Sequence, residues 1–124
     1  MPSEKQKQLL QSLPKTQYQH FINLYRQVKE EGLESQTFNQ LFRALYSSKV
    51  IAPFDYIDWE SARQAWSNPN FQFDHLSLVE LFEHLTAIFR ADRYEEGTIV
   101  SAFNSGLFEK IFQSMEQKIQ TLQN

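Results

Sequence analysis

The residues that this sequence lacks exclude several classes of protein. Cysteine is absent, so disulfides, thiolate metal sites and cysteine nucleophiles are excluded. No apolar run approaches the roughly 20 residues that span a bilayer, and the polar N-terminus MPSEKQKQLLQSL lacks the apolar core of a signal peptide. Three glycines and four prolines supply few turns for a many-stranded sheet. We therefore expect a cytoplasmic helical protein without a membrane span.

The apolar content is that of a packed globular domain. Hydrophobic residues make up 41% of the chain and aromatic residues 15%, with eleven phenylalanines. Such a chain has the apolar area that disordered chains lack, and 124 residues fit one domain. We predict an all-α fold: one compact domain over residues 1–124, a bundle of about five or six helices. Residues 1–13 are predicted as a short N-terminal helix that frays, and residues 49–57 as an irregular aromatic connector.

Local sequence patterns predict where the helices begin and end. Capping-box patterns occur at residues 16–19, 37–40, 77–80 and 92–95. Gly32 and Gly106 are predicted helix stops. The third capping box opens the strongest predicted helix, in which apolar residues from 78 to 89 share one face and Glu80, Glu83 and Arg90 lie opposite. This helix is therefore predicted to be half buried.

Charge is distributed unevenly along the chain. Residues 1–29 carry five lysines and arginines against one glutamate, whereas residues 30–96 carry five against twelve acidic residues. Binding to a nucleic-acid backbone requires a concentrated basic face, and an acidic middle opposes it. We predict that nucleic acid is not a partner and that these charges form a solvated surface.

The densest charge cluster lies at a predicted joint between two helices. Its residues are Arg90, Asp92, Arg93, Tyr94, Glu95, Glu96 and Gly97. One interpretation is structural: Asp92 caps the next helix, the arginines pair with nearby carboxylates, and Gly97 lets a neighbouring helix approach closely. A second is a surface for a protein partner. A third is a small-anion or ligand pocket around Arg90, Arg93 and Tyr94, because guanidinium groups beside a helix N-terminus bind oxyanions.

Four aromatic residues form a second candidate group. They are Trp59, Trp66, Phe71 and Phe73. We expect them to be part of the core. If they are exposed, they form an anchor patch for a partner, because large apolar patches on protein surfaces mark contacts.

The sequence has no recognisable catalytic or metal-binding set. His84 with Glu80 and Glu83 does not match the Glu-x-x-His pairs of di-iron bundles, and His-Glu-x-x-His is absent. A surface or capping role is expected for His84. No Gly-x-Ser-x-Gly elbow or glycine-rich phosphate loop occurs. We predict no catalytic residues, no metal and no cofactor, and the balance favours a protein that is not an enzyme.

Residues 85–108, LTAIFRADRYEEGTIVSAFNSGLF, resemble the C-terminal signature of a family of small uncharacterised bacterial proteins, DUF6508. The matching positions are Arg90, Arg93, Tyr94, Gly97 and Gly106. Upstream, residues 54–59, FDYIDW, resemble the family's tryptophan-containing segment, with Tyr56 where tryptophan is usual. The resemblance covers residues 54–112. It implies a bacterial source, and it implies no activity.

Taken together, these features predict a non-enzymatic interaction protein that acts through a protein partner or through self-association. The alternative is the small-anion or catalytic pocket at Arg90, Arg93 and Tyr94. A weaker alternative is a helix-turn-helix-like nucleic-acid binder using residues 85–108. Glu95 and Glu96 oppose it, because they would stand at the start of the recognition helix and face phosphates or bases.

Overall fold

The computed structural model describes residues 8–10, 12–51 and 59–121, without the side chains of Trp59, Ser61 and Tyr94. Its helices, in chain order, are α1 (Lys15–Glu31), α2 (Gln36–Ser47), α3 (Trp59–Ser67), α4 (Leu78–Tyr94), α5 (Thr98–Asn104) and α6 (Leu107–Ile119). Residues 8–10 and 12 are also helical, and no residue in the described ranges lies in a strand. The predicted compact all-α fold is confirmed.

Helix α4 lies at the centre of the bundle. The predicted capping box opens it: Glu80 N donates to Ser77 Oγ at 3.2 Å, and Ser77 N donates to Glu80 Oε1 at 3.0 Å. Every residue from 81 to 89 is buried, including Glu83. The prediction of a half-buried helix with Glu83 facing solvent is therefore wrong. An amphipathic pattern reports one packed face, whereas here several elements surround the helix.

Aromatic contacts show which elements surround α4. Phe82 lies 6.1 Å from Phe21 of α1, between ring centroids, and Phe89 lies 5.2 Å from Phe42 of α2. Phe89 also lies 6.2 Å from Phe108 of α6. These rings form one continuous core, and burial of large aromatic side chains is the main term that stabilises such a bundle.

Helices α1 and α6 are joined along their length. Tyr25 stacks on Phe112 with centroids 4.5 Å apart and an interplanar angle of 7°. At the surface Arg26 pairs with Glu116, and Lys29 pairs with Glu109. The stacked pair contributes burial, whereas exposed ion pairs of this kind add about 0–1 kcal/mol each.

Two of the predicted capping boxes, at residues 16–19 and 37–40, do not form. Helix α1 begins at Lys15 after Pro14, without a side-chain cap, so Thr16 lies inside the helix. The cap of α2 is Ser35, whose Oγ accepts from Phe38 N at 3.4 Å. Thr37 is buried instead and donates to Glu31 Oε1 at 2.7 Å. The Ser/Thr-x-x-Gln pattern occurs by chance in a glutamine-rich chain, and the turn geometry decides which residue caps.

The glycine stops are confirmed, and the segments between helices are described in part. Gly32 and Gly106 end their helices with φ of 96° and 87°, a backbone conformation that favours glycine. Of the aromatic connector at 49–57, Val50 and Ile51 are buried, and residues 52–57 lie outside the described residues. Among the described helices, none is both long and apolar enough to cross a bilayer.

Candidate functional site

The charged joint is built differently from the sequence prediction. Helix α4 continues to Tyr94, so Asp92 lies in its last turn and is not the residue preceding a helix. Asp92 Oδ1 nevertheless accepts hydrogen bonds from Gly97 N at 3.2 Å and from Ile99 N at 3.0 Å. The carboxylate therefore caps α5 from the preceding helix. The capping box predicted at residues 92–95 is wrong, because a capping box needs its first residue directly before the helix, whereas α4 continues past Asp92.

Gly97 has a conformational role at this joint. Its φ is 100°, in the left-handed region, and it stands directly before α5. An added Cβ would find no atom within 4 Å, so close approach of a neighbouring helix does not explain the glycine. The predicted close packing at Gly97 is wrong, and the positive φ is the physical reason for the residue.

The arginines of the joint have partners within the chain. Arg93 Nη2 donates to the hydroxyl of Tyr46 on α2 at 3.3 Å. Arg90 is half-buried and also has an interaction partner. Glu95 and Glu96 are exposed just before α5. The side chain of Tyr94 lies outside the described residues, so the anion pocket and the nucleic-acid hypothesis stay predictions.

The structure brings two residues of the aromatic group, Trp66 and Phe73, against His84, and a third, Phe71, packs on Phe73. Trp66 Nε1 donates to His84 Nδ1 at 3.0 Å, and the ring of Phe73 lies 5.2 Å from the imidazole. Phe71 packs edge-on against Phe73 at 4.9 Å. Phe73 is buried, whereas Trp66 and Phe71 are half-buried. Trp59 has no described side chain.

His84 is a buried residue, and the expectation of a surface histidine is wrong. Its side chain is 1% exposed. Burial lowers the pKa of His84 from 6.5 to about 4, and this outweighs the nearby Glu80 carboxylate, which raises it. The ring is therefore neutral at physiological pH, with Nδ1 as the acceptor for Trp66. In the described part of the chain, no three His, Asp or Glu residues form a group that could hold a metal ion.

Next to this aromatic group lies a groove that the sequence analysis missed. One wall is the segment at residues 69–74 and the other is α6, and the groove has a volume of about 280 Å³. Phe71 and Phe73 belong to the first wall, and Lys110, Gln113, Ser114 and Gln117 to the second. We call it the α6 groove. A sequence signal existed, since residues 110, 113, 114 and 117 recur at i, i+3, i+4 and i+7 on one polar helix face.

Two lysines of α6 hold the opposite wall in place. Lys110 Nζ donates to the carbonyl of Pro69 at 3.2 Å, and Lys118 Nζ donates to the carbonyl of Asp74 at 2.7 Å. A turn in which Phe71 N donates to Asn68 O at 3.0 Å leads from α3 into this wall. Because the two contacts lie at either end of the wall, they position it alongside α6.

Comparison with known proteins identifies a family. Residues 2–121 match DUF6508, which is described as a family of unknown function. The match is wider than the resemblance over residues 54–112, so the first third of the chain carries the family pattern as well. No curated protein and no solved structure matches the chain significantly.

Proposed function

The chain belongs to the DUF6508 family, and from that premise we propose that it is a non-enzymatic protein-interaction module whose partner binds in the α6 groove. One observation supports this proposal most strongly. The side chains of Gln72, Gln113 and Gln117 line the groove, are exposed, and make no hydrogen bond within the part of the chain that the structure describes. Each amide offers donors and an acceptor to a partner.

The composition of the groove favours a segment of a protein over an enclosed small molecule. Small-molecule sites usually occupy about 300–1,000 Å³ and bury most of the ligand. At about 280 Å³ the α6 groove lies at the lower limit of that range, so its lining decides between the two kinds of ligand. It combines an aromatic wall with uncharged amides, the mixture of apolar anchor and polar rim that protein interfaces use.

The non-enzymatic part of the proposal is supported by His84. A general base must reach a proton on its substrate, at about 2.6–3.2 Å or through one water. The imidazole of His84 is buried beneath Phe73 and its Nδ1 is occupied by Trp66. This histidine lies beside the groove wall and serves the packing of that wall.

The proposal includes the location and source expected from the sequence. A cytoplasmic location agrees with the absence of cysteine, since disulfides are common in oxidising compartments, and a bacterial source is what the resemblance to the family implies. Fractionation of cells that express the full chain checks the location. Recovery of the chain in the membrane fraction would contradict it.

Site-specific photo-crosslinking in the native host tests the proposed function. A photoreactive phenylalanine analogue replaces Gln72 in the groove or, as the matched control, the exposed Gln40 on α2. We expect a discrete protein adduct from position 72 and none from position 40. Equal adducts from both positions, or none from position 72, would contradict an interaction through the groove.

The mass of the adduct separates the two kinds of partner. An adduct of twice the 14.7 kDa chain indicates self-association, and sedimentation of the purified chain should then show a dimer. A different mass indicates another protein. Either result supports an interaction module, and the two differ only in the identity of the partner.

A further inference from the structure

We propose that the α6 groove binds an extended, uncharged peptide segment of three to four residues by pairing with its backbone. This inference rests on the proposed function, because it takes the partner to be a protein. It adds how the partner is recognised and which chemistry the bound segment has.

The spacing of two glutamines matches the repeat of an extended chain. Gln113 and Gln117 are four residues apart on α6 and both line the groove. Four residues of α-helix rise about 6 Å. An extended backbone presents equivalent N–H and C=O groups on one edge every two residues, about 6.6–6.8 Å. A peptide running along α6 can therefore meet both amides in the same register, at alternate residues.

The lysine contacts define the length of the groove. Lys110 and Lys118 lie eight residues apart on α6, about 12 Å along the helix axis, and each donates to a carbonyl of the opposite wall. At about 3.3 Å per extended residue, three to four residues fit between these two contacts.

Charge in the groove favours an uncharged segment. One lysine and one aspartate line it, Lys110 and Asp74, and the other polar side chains in the lining are neutral. The ammonium of Lys110 already donates to Pro69 O. These two opposite charges balance, so the lining has no excess charge to compensate a strongly acidic or basic segment once water is excluded.

Ser114 supplies an independent indication that a ligand completes the groove. It is 7% exposed and lines the groove. Within the described residues its hydroxyl makes no hydrogen bond, although buried hydroxyls are normally paired. The hydroxyl lies between Gln113 and Gln117 in sequence, so a backbone group that pairs with these amides is also near Ser114.

Phe71 and Phe73 predict one side-chain preference. Side chains of an extended peptide alternate between two faces that stand perpendicular to its hydrogen-bonding edges. With one edge on α6, every second side chain therefore points into the groove, whose lining includes these two rings. We expect an apolar residue there, because Phe71 is half-buried and still offers ring surface.

Selection from a displayed library of random 12-residue peptides tests the inference. The full chain is the bait, and the test variant is Gln113→Ala with Gln117→Ala. Exposed helical Gln→Ala changes favour folding slightly. The matched control is Gln27→Ala with Gln40→Ala, two exposed glutamines on α1 and α2. We expect selected peptides to bind the test variant at least tenfold more weakly than the wild type, and the control within twofold.

N-methylation of the strongest selected peptide then tests backbone pairing. Methylation at the two alternate positions that pair with Gln113 and Gln117 should weaken binding at least tenfold, and methylation of the residue between them less than threefold. A uniform response along the peptide, binding that is unchanged in the test variant, or selection of no peptide would each overturn the inference. If position 72 nevertheless gives a discrete crosslinked adduct, the proposed function still holds. The partner would then bind the groove through a folded surface and not through an extended segment.

Discussion

The two ends of α4 differ in what their polar side chains contact. At the C-terminal end, Asp92 accepts two backbone N–H groups and Arg93 contacts Tyr46. Before the N-terminal end, residues 69–74 form the groove wall that two lysines of α6 hold in place. The glutamines that line the groove have no hydrogen-bond partner among the described residues. The charged residues of the joint thus include two with hydrogen-bond partners inside the chain, Asp92 and Arg93. The candidate binding surface combines aromatic rings with glutamine amides that packing brings together.

The largest effect on stability is expected from protonation of His84, the buried histidine beside the groove wall. Because the pKa of His84 is lowered from 6.5 to about 4, the unfolded chain takes up a proton at a higher pH than the folded protein does. The contribution of neutral His84 to the free energy of unfolding is complete above about pH 6.5, declines as the pH falls, and is fully lost below about pH 4. The total loss is about 3 kcal/mol, measured by urea unfolding across this range.

His84→Gln isolates this effect from the carboxylates that titrate in the same range. A glutamine side chain can still accept the Trp66 hydrogen bond, and it does not titrate. We expect a shallower fall in unfolding free energy between pH 6.5 and pH 4 for this variant. If the unfolding free energies of variant and wild type fall in parallel as the pH is lowered, His84 is not the cause of the loss of stability in acid.

Removing the carboxylate of the joint should have the second largest effect. Asp92→Ala leaves Gly97 N and Ile99 N without their acceptor, and loss of a helix cap costs about 0.5–2 kcal/mol. We expect about 2 kcal/mol of lost stability in urea unfolding, because two donors share one oxygen. Glu96→Ala, an exposed acid in the same joint, should change stability by less than about 0.5 kcal/mol. Equal effects would contradict the capping role.

Gly97→Ala tests the backbone conformation of the joint. At φ of 100° an alanine is strained although nothing stands within 4 Å of its Cβ. We expect a loss of about 1 kcal/mol, detected as a lower urea midpoint. Ser101→Ala, an exposed position in α5, is the control and should be neutral or slightly stabilising. A neutral Gly97→Ala would show that the joint adapts to another backbone conformation.

The smallest effect on stability is expected at the groove itself. Gln113→Ala with Gln117→Ala removes side chains that make no described hydrogen bond, so the unfolding free energy should stay within about 0.5 kcal/mol of the wild type. The joint variants would then lose stability whereas the groove variant keeps it, as expected if the groove glutamines are available to a partner. A loss of more than about 1 kcal/mol would mean that these amides hold the fold together.

Prediction succeeded where residues close in sequence interact. The capping box at Ser77 and the glycine at residue 106 depend on neighbours within a few positions, and both are present. It failed for His84 and Glu83, because a helical period identifies one buried face and cannot count the elements that surround a helix. The predicted capping of the next helix by Asp92 is confirmed, whereas the predicted capping box at residues 92–95 is wrong, because the acceptor belongs to one helix and the donors lie at the start of the next.

The helical class, the start of α4 and the places where glycine permits the chain to turn could be predicted from the sequence alone. These features follow from composition and from contacts within one or two helical turns. The contacts of the joint and of the groove depend on the tertiary structure. Arg93 reaches Tyr46 across 47 positions, and Lys110 reaches Pro69 across 41. Contacts at such separations depend on how the helices pack together, and no local pattern records that arrangement.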